Sequence, residues 1–158
     1  MFDRMHLKNV YSWNTLIGAY TQSGDLHYAR TMFDKMPARD VVSWNSMISR
    51  YSQHGCDEES VQLFVKMQQD GMKPDLFSFT SVLTACADIE FLKQGKKIHA
   101  LVIRNGFEMD GIVGNALVSM YAKCGNTDDA HFVFAKLPEL NVVSWTSMIV
   151  GYVKCGSI

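Results

Sequence analysis

The chain repeats itself, and that repetition leaves few folds open. The string Val41-Val42-Ser43-Trp44-Asn45-Ser46-Met47-Ile48 returns as Val142-Val143-Ser144-Trp145-Thr146-Ser147-Met148-Ile149, with a close cousin at Val10-Tyr11-Ser12-Trp13-Asn14-Thr15-Leu16-Ile17. Two diverged copies begin at Leu76 and Gly111. Repeats therefore start at residues 10, 41, 76, 111 and 142 and are 31, 35, 35 and 31 residues long. The register holds well past the opening string. Position 11 reads Tyr20, Tyr51, Cys86, Tyr121 and Tyr152, and position 15 reads Gly24, Gly55, Glu90, Gly125 and Gly156. Position 20 is always small (Ala29, Ser60, Gly95, Ala130), and position 24 reads Phe33, Phe64, His99 and Phe134. A fixed period of this length is the signature of a supersecondary unit that is stacked rather than packed around one centre.

Within each repeat the spacing predicts two helices. Apolar residues at positions 4, 7, 8 and 11 lie on one helical face. Ser12, Ser43, Ser78 and Ser144 stand where an N-cap is wanted, and the glycine at position 15 can end the helix in the left-handed region. The second helix stops at Gly71 with Pro74 beyond, or at Pro37 and Pro138 in the shorter repeats. The expected helices are 12–22, 26–36, 43–53, 57–69, 78–87, 91–104, 113–123, 127–136 and 144–154. A lone hairpin cannot bury its apolar stripe, so such repeats must stack on their neighbours. The expected fold is an all-α solenoid of stacked helix-turn-helix repeats.

Composition narrows the function classes. A hydrophobic share of 47% with 20% charged residues supports a real core. A net charge of −1 argues against RNA binding driven by charge alone, which needs many Lys or Arg contacts to phosphate. Cys56, Cys86, Cys124 and Cys155 lie 30, 38 and 31 residues apart, with no Cys-x-x-Cys or Cys/His cluster. Reduced thiols are expected, with no metal and no cofactor. No apolar run nears the roughly 20 residues needed to span a bilayer. The opening residues Met1 to His6 contain no apolar stretch and no Arg/Ser-rich pattern, so no transit peptide is expected in them.

Several phrases resemble one family. They are Val41–Trp44 with Asn45, Gly71-Met72-Lys73-Pro74-Asp75, Gln94-Gly95-Lys96-Lys97-Ile98-His99-Ala100, and Gly114 through Gly125. With the alternating repeat lengths, they look like the PLS class of plant pentatricopeptide repeat proteins rather than the tetratricopeptide class, whose Trp-x-x-Leu-Gly opening is missing. The resemblance implies a right-handed α-solenoid with residues 1–9 as the tail of a preceding repeat. An S repeat would follow at 10–40, a P repeat at 41–75, an L repeat at 76–110, an S repeat at 111–141 and an incomplete repeat at 142–158. Glu90 departs from the pattern by replacing the helix-breaking glycine of the L repeat, which is expected to reshape that turn. The His-x-Glu and Pro-Cys-x-x-Cys motifs of a zinc deaminase do not occur in these residues, so the expectation is a fragment or truncated form that is not itself an enzyme.

The resemblance also implies sequence-preferring binding of single-stranded RNA, one base per repeat, within an organellar RNA editing or processing factor of the mitochondrion or chloroplast. Other RNA-processing proteins would be its partners. Position 5 and the last residue of a repeat would read a base edge together. The pairs are Asn14 with Asp40, Asn45 with Asp75, Thr80 with Asp110, and Asn115 with Asn141, while Thr146 opens a further pair. By the family rule the first two favour U, the third G and the fourth C, then U. A carboxamide offers both donor and acceptor, which suits this task. Position 2 (Tyr11, Val42, Phe77, Ile112, Val143) would stack on bases, and Lys123 and Lys154 at position 13 could reach phosphates. Trp13, Trp44, Phe79 and Trp145 are expected in the core. Two alternatives stand beside this reading. The Asn and Asp residues can be plain capping and turn residues, and the solenoid can grip a protein rather than RNA.

Overall fold

The computed structural model describes residues 9–156, so the expected tail of a preceding repeat lies almost wholly outside the described residues. Among them there are nine α-helices and no strand. They are α1 (Val10–Gln22), α2 (Leu26–Lys35), α3 (Val41–Gln53), α4 (Asp57–Gln69), α5 (Leu76–Asp88), α6 (Leu92–Arg104), α7 (Gly111–Lys123), α8 (Thr127–Lys136) and α9 (Val142–Lys154). The chain divides into two compact halves, one ending at Ser78 and the other starting at Phe79, with the boundary inside α5. In the first half α1 packs on α2 and α3, and α3 packs on α4. In the second, α7 packs on α6, α8 and α9.

The first helix of each repeat starts two residues earlier than its serine suggested. Asn9, Asp40 and Asn141 are the N-caps of α1, α3 and α9, each accepting from the backbone N–H of the serine three residues on. Asp75 does the same for Ser78. The serines are thus the third helical residue, and in α3 and α9 they close a capping box by accepting the cap's own N–H. An acidic or amide side chain offers a better-placed acceptor than the hydroxyl beyond it, and so the helix nucleates further upstream.

Left-handed residues end the first helices as expected. Gly24, Gly55, Gly125 and Gly156 have φ between 68 and 83°. Glu90 occupies the same region with φ 53°, so the turn is kept rather than reshaped and the strain falls on a residue with a Cβ. Small residues at position 20 allow close approach. Ala29, Ser60 and Ala130 are fully buried, and a Cβ on Gly95 would stand 2.4 Å from Met120 Sδ. Position 24 of one repeat meets position 4 of the next edge-on, Phe33 against Trp44 at 4.8 Å and Phe134 against Trp145 at 4.9 Å. Trp44 and Phe79 are core residues as expected, and Trp13 is half-buried. Trp145 departs from the expectation by remaining 54% exposed, because no helix follows α9 among the described residues to cover it. His99, in the position-24 row, bonds through Nδ1 to the Tyr121 hydroxyl at 2.8 Å. Burial holds its imidazole below its usual pKa, and burial pushes the Tyr121 phenol up to about 12. That pair is a packed, neutral contact at physiological pH.

Candidate functional site

The side chains at position 5 and at the end of each repeat are far apart in sequence and are brought together by helix stacking. Asn14 Nδ2 donates to Asp40 Oδ1 at 3.1 Å, and Asn45 Nδ2 donates to Asp75 Oδ1 at 2.9 Å. Asn115 and Asn141 meet through Ser144, whose Oγ lies 2.7 Å from Asn115 Oδ1 and 3.2 Å from Asn141 Oδ1. Thr80 is half-buried on α5. Its expected partner Asp110 accepts from the backbone N–H of Ile112 and Val113, both at 2.9 Å. Thr146 is exposed on α9.

Capping and pairing are not alternatives here. Asp40, Asp75, Asp110 and Asn141 are all helix caps, and Asp40 and Asp75 also hold the amide of the preceding position 5. Burial by itself would raise both carboxyls. The hydrogen bonds outweigh it: from Ser43 and Asn14 at Asp40, and from Ser78 and Asn45 at Asp75. Both carboxyls therefore sit below the usual 3.8 and are ionised at neutral pH. Capping explains the last residue of a repeat but not the asparagine, which lies 26 or 30 residues away and caps nothing. Asn14 even leaves a buried oxygen, Oδ1, without a hydrogen-bond partner. Such an atom is costly unless something donates to it.

At position 2 of the repeats, Tyr11, Val42, Phe77, Ile112 and Val143 are between 56 and 78% exposed. They present flat or branched apolar surfaces to solvent. The two lysines at position 13 are both ion-paired. Lys123 Nζ is 2.7 Å from Asp88, and Lys154 pairs with Glu90 and with the Lys123 carbonyl. A signal for this lay in the sequence, since Asp88 and Lys123 occupy position 13 of consecutive repeats. Among the described residues no group of three or more His, Cys, Asp or Glu is arranged to hold a metal ion, and none of the four cysteines is bridged in a disulfide. No helix among them is long and apolar enough to cross a membrane.

Sequence reasoning missed one set of side chains. The serine at position 3 of the following repeat touches the paired residues directly: Ser43 reaches Asp40, Ser78 reaches Asn45 and Asp75, and Ser144 reaches Asn115 and Asn141. Its recurrence in step with the asparagines was the available clue.

These features define an all-α repeat protein in which three repeats bring a position-5 asparagine to the residue that ends the repeat, with an exposed apolar side chain at position 2. Profiles of the PPR repeat match residues 11–41, 115–142 and 143–158, and the profile of the PPR repeat family matches residues 39–88. The chain belongs to the pentatricopeptide repeat family. It is 41% identical over 156 residues to the pentatricopeptide repeat-containing protein At5g27110 of Arabidopsis thaliana, covering 99% of this chain and 18% of that protein. It is 42% identical to the chloroplastic At1g15510 of the same plant (99% of this chain, 14% of that protein). The mitochondrial At3g24000 is 37% identical (99% and 20%). The chain thus spans a fifth or less of the length of these relatives. The fold matches the crystal structure of the pentatricopeptide repeat protein PPR10 from maize with a TM-score of 0.75 at 16% identity, covering 98% of this chain and 23% of that one. PPR10 in complex with an 18-nt psaJ RNA element matches with a TM-score of 0.72 at 16% identity, covering 97% of this chain and 23% of that one.

Proposed function

We propose that these repeats bind single-stranded RNA with base preference, as a segment of a longer organellar RNA-processing or editing factor of the PLS class. The observation that carries the reading is the hydrogen-bonded pair at position 5 and the repeat end, with an exposed apolar side chain three residues before the asparagine on the same helix. A base stacked on Tyr11 or Val42 would bring its edge to Asn14 or Asn45. The chloroplastic and mitochondrial relatives, and the RNA held by PPR10, support the same assignment and its organellar setting.

The chemistry of each pair favours a base. An ionised Asp40 or Asp75 offers only lone pairs, which suits the N3–H of U and opposes the N3 lone pair of C. Asn141 has N–H groups to offer, and Asn115 gives neither of its Nδ2 protons to a carboxylate, so this pair suits the acceptors of C. With the chain running along the RNA 5′ to 3′, the preferred site is U-U-x-C, the third place being that of Thr80 with Asp110. Good polar base contacts discriminate by on the order of 1–3 kcal/mol each. Three such repeats give a dissociation constant of roughly micromolar or weaker. The net charge of −1 and the ion-paired lysines make a shallow salt dependence the expected companion of that affinity.

Competition binding with four RNAs differing only at the last base tests the reading. Wild type should prefer pyrimidine there, C before U, and Asn115→Thr should move the preference towards A. No preference in wild type, and no shift on substitution, would leave Asn115 a plain helix residue. The protein-binding solenoid would then become the better account.

A further inference from the structure

The amide of Asn45 is held from two sides, by Asp75 and by the hydroxyl of Ser78. Asn45 must turn Nδ2 towards Asp75, because the reverse orientation would set its carbonyl oxygen against a carboxylate. Its Oδ1 then faces Ser78 Oγ at 2.6 Å. Ser78 has one hydroxyl proton and two acceptors within reach. Asp75 Oδ1, at 3.0 Å, already receives the Ser78 backbone N–H and the Asn45 amide, so the shorter contact takes the proton. The hydroxyl cannot swing away, since Ser78 is fully buried and its Oγ accepts from the Asp75 backbone N–H at 3.1 Å. Ser144 repeats the arrangement: it is fully buried, accepts from Asn141 N–H at 3.1 Å and reaches Asn115 Oδ1 at 2.7 Å. There the hold matters more, because Asn141 carries no charge to orient Asn115.

We infer that Ser78 and Ser144, at the third helical position of the following repeat, are positioning residues that set base discrimination by the preceding asparagine. The inference rests on the base-reading proposal. A pinned amide presents its remaining donors and acceptors in one order. A freely flipping amide presents either order and therefore accepts U and C alike, which differ by inverted donor and acceptor sites at N3 and C4. Discrimination then collapses while affinity for the better base changes little. The remaining two repeats differ. Ser43 Oγ lies 2.8 Å from Asp40, leaving Asn14 Oδ1 unpinned, and Val113 stands at position 3 after the Thr80–Asp110 repeat with no hydroxyl to give.

The test compares Kd ratios for RNAs that differ at one nucleotide, using wild type, Ser144→Ala, Ser78→Ala and Asn126→Ala. Asn126 caps α8 by accepting from Asp129 N–H and lies outside the paired row, so its variant reports the effect of a lost cap alone. Ser144→Ala should reduce C-over-U discrimination at the Asn115 nucleotide by roughly five- to tenfold, the worth of one hydrogen bond. Ser78→Ala should reduce U-over-C discrimination at the Asn45 nucleotide by only about twofold, because Asp75 still orients that amide. Asn126→Ala should leave both ratios as they are. If wild type discriminates and both serine variants discriminate equally well, this inference is overturned and the base-reading proposal stands. If wild type does not discriminate at all, the proposal falls and the inference with it. Should Ser144→Ala lose helical circular dichroism, the Ser78→Ala ratio decides.

Discussion

Replacing Asp75 separates the two tasks of one carboxylate. Its Oδ1 accepts from Ser78 N–H at 3.0 Å, which caps α5, and from Asn45 Nδ2 at 2.9 Å. Asp75→Ala removes both. Losing an N-cap costs about 1 kcal/mol. Losing a hydrogen bond to a charged group costs about 1.5–3 kcal/mol, and the low end applies because Asp75 is only partly buried and screened by water. The expected loss is about 2–3 kcal/mol. Asp75→Asn keeps an acceptor in place, and Asn141 shows that an amide there closes the same capping box with Ser144. That variant should lose less than about 1 kcal/mol.

The sign of the pH dependence follows from the direction of the shift. Asp75 titrates below its usual 3.8, so its charge contributes stability that is fully present above that value and is lost as pH falls through the lowered one. The gap between wild type and Asp75→Asn should therefore be constant near neutrality and close in acid below 3.8. Urea unfolding followed by helical circular dichroism, at a series of pH values, measures all of this. An Asp75→Asn variant as damaged as Asp75→Ala would refute the argument, since charge rather than acceptor geometry would then be holding the cap.

The strain at Glu90 is measurable by comparing two substitutions that both remove its ion pair with Lys154. Glu90→Gly relieves a left-handed φ of 53° that Glu90→Ala retains, and the glycine variant should be more stable by about 0.5–1 kcal/mol in chemical unfolding. Equal stabilities would mean that the turn imposes no strain. At Gly95 a Cβ would meet Met120 Sδ at 2.4 Å, so Gly95→Ala should destabilise by about 1–3 kcal/mol. Combining it with Met120→Ala should cost less than the sum of the two single changes, and strict additivity in that double-mutant cycle would show that the two residues do not collide.

Much of the fold could be read from residue order because its determinants are local. Helix periodicity, the glycines at position 15 and the prolines after the short second helices act within a few residues of themselves, and the observed helices end where those signals stand. The first helix of each repeat starts two residues before the serine reading because two nearby side chains can each serve as cap, and choosing between Asp40 and Ser43 depends on hydrogen-bond geometry. Glu90 was misjudged for a similar reason. Propensity disfavours a left-handed glutamate, yet the helices on either side of the turn impose that conformation.

The candidate site divides along the same line. The family resemblance marked position 5, the repeat end and position 2, and the repeat register carried those marks to equivalent residues of each repeat. Tertiary structure decided what those side chains do to one another. Whether Lys123 meets Asp88 at 2.7 Å, whether Ser78 gives its proton to Asn45 or Ser43 turns to Asp40, and whether Asn14 keeps a bare oxygen depend on stacking. Donor–acceptor distances that differ by a few tenths of an ångström, such as 2.6 Å from Ser78 Oγ to Asn45 Oδ1 against 3.0 Å to Asp75 Oδ1, choose among those partners. A hydrogen bond is made or lost over such distances, whereas a helix is not.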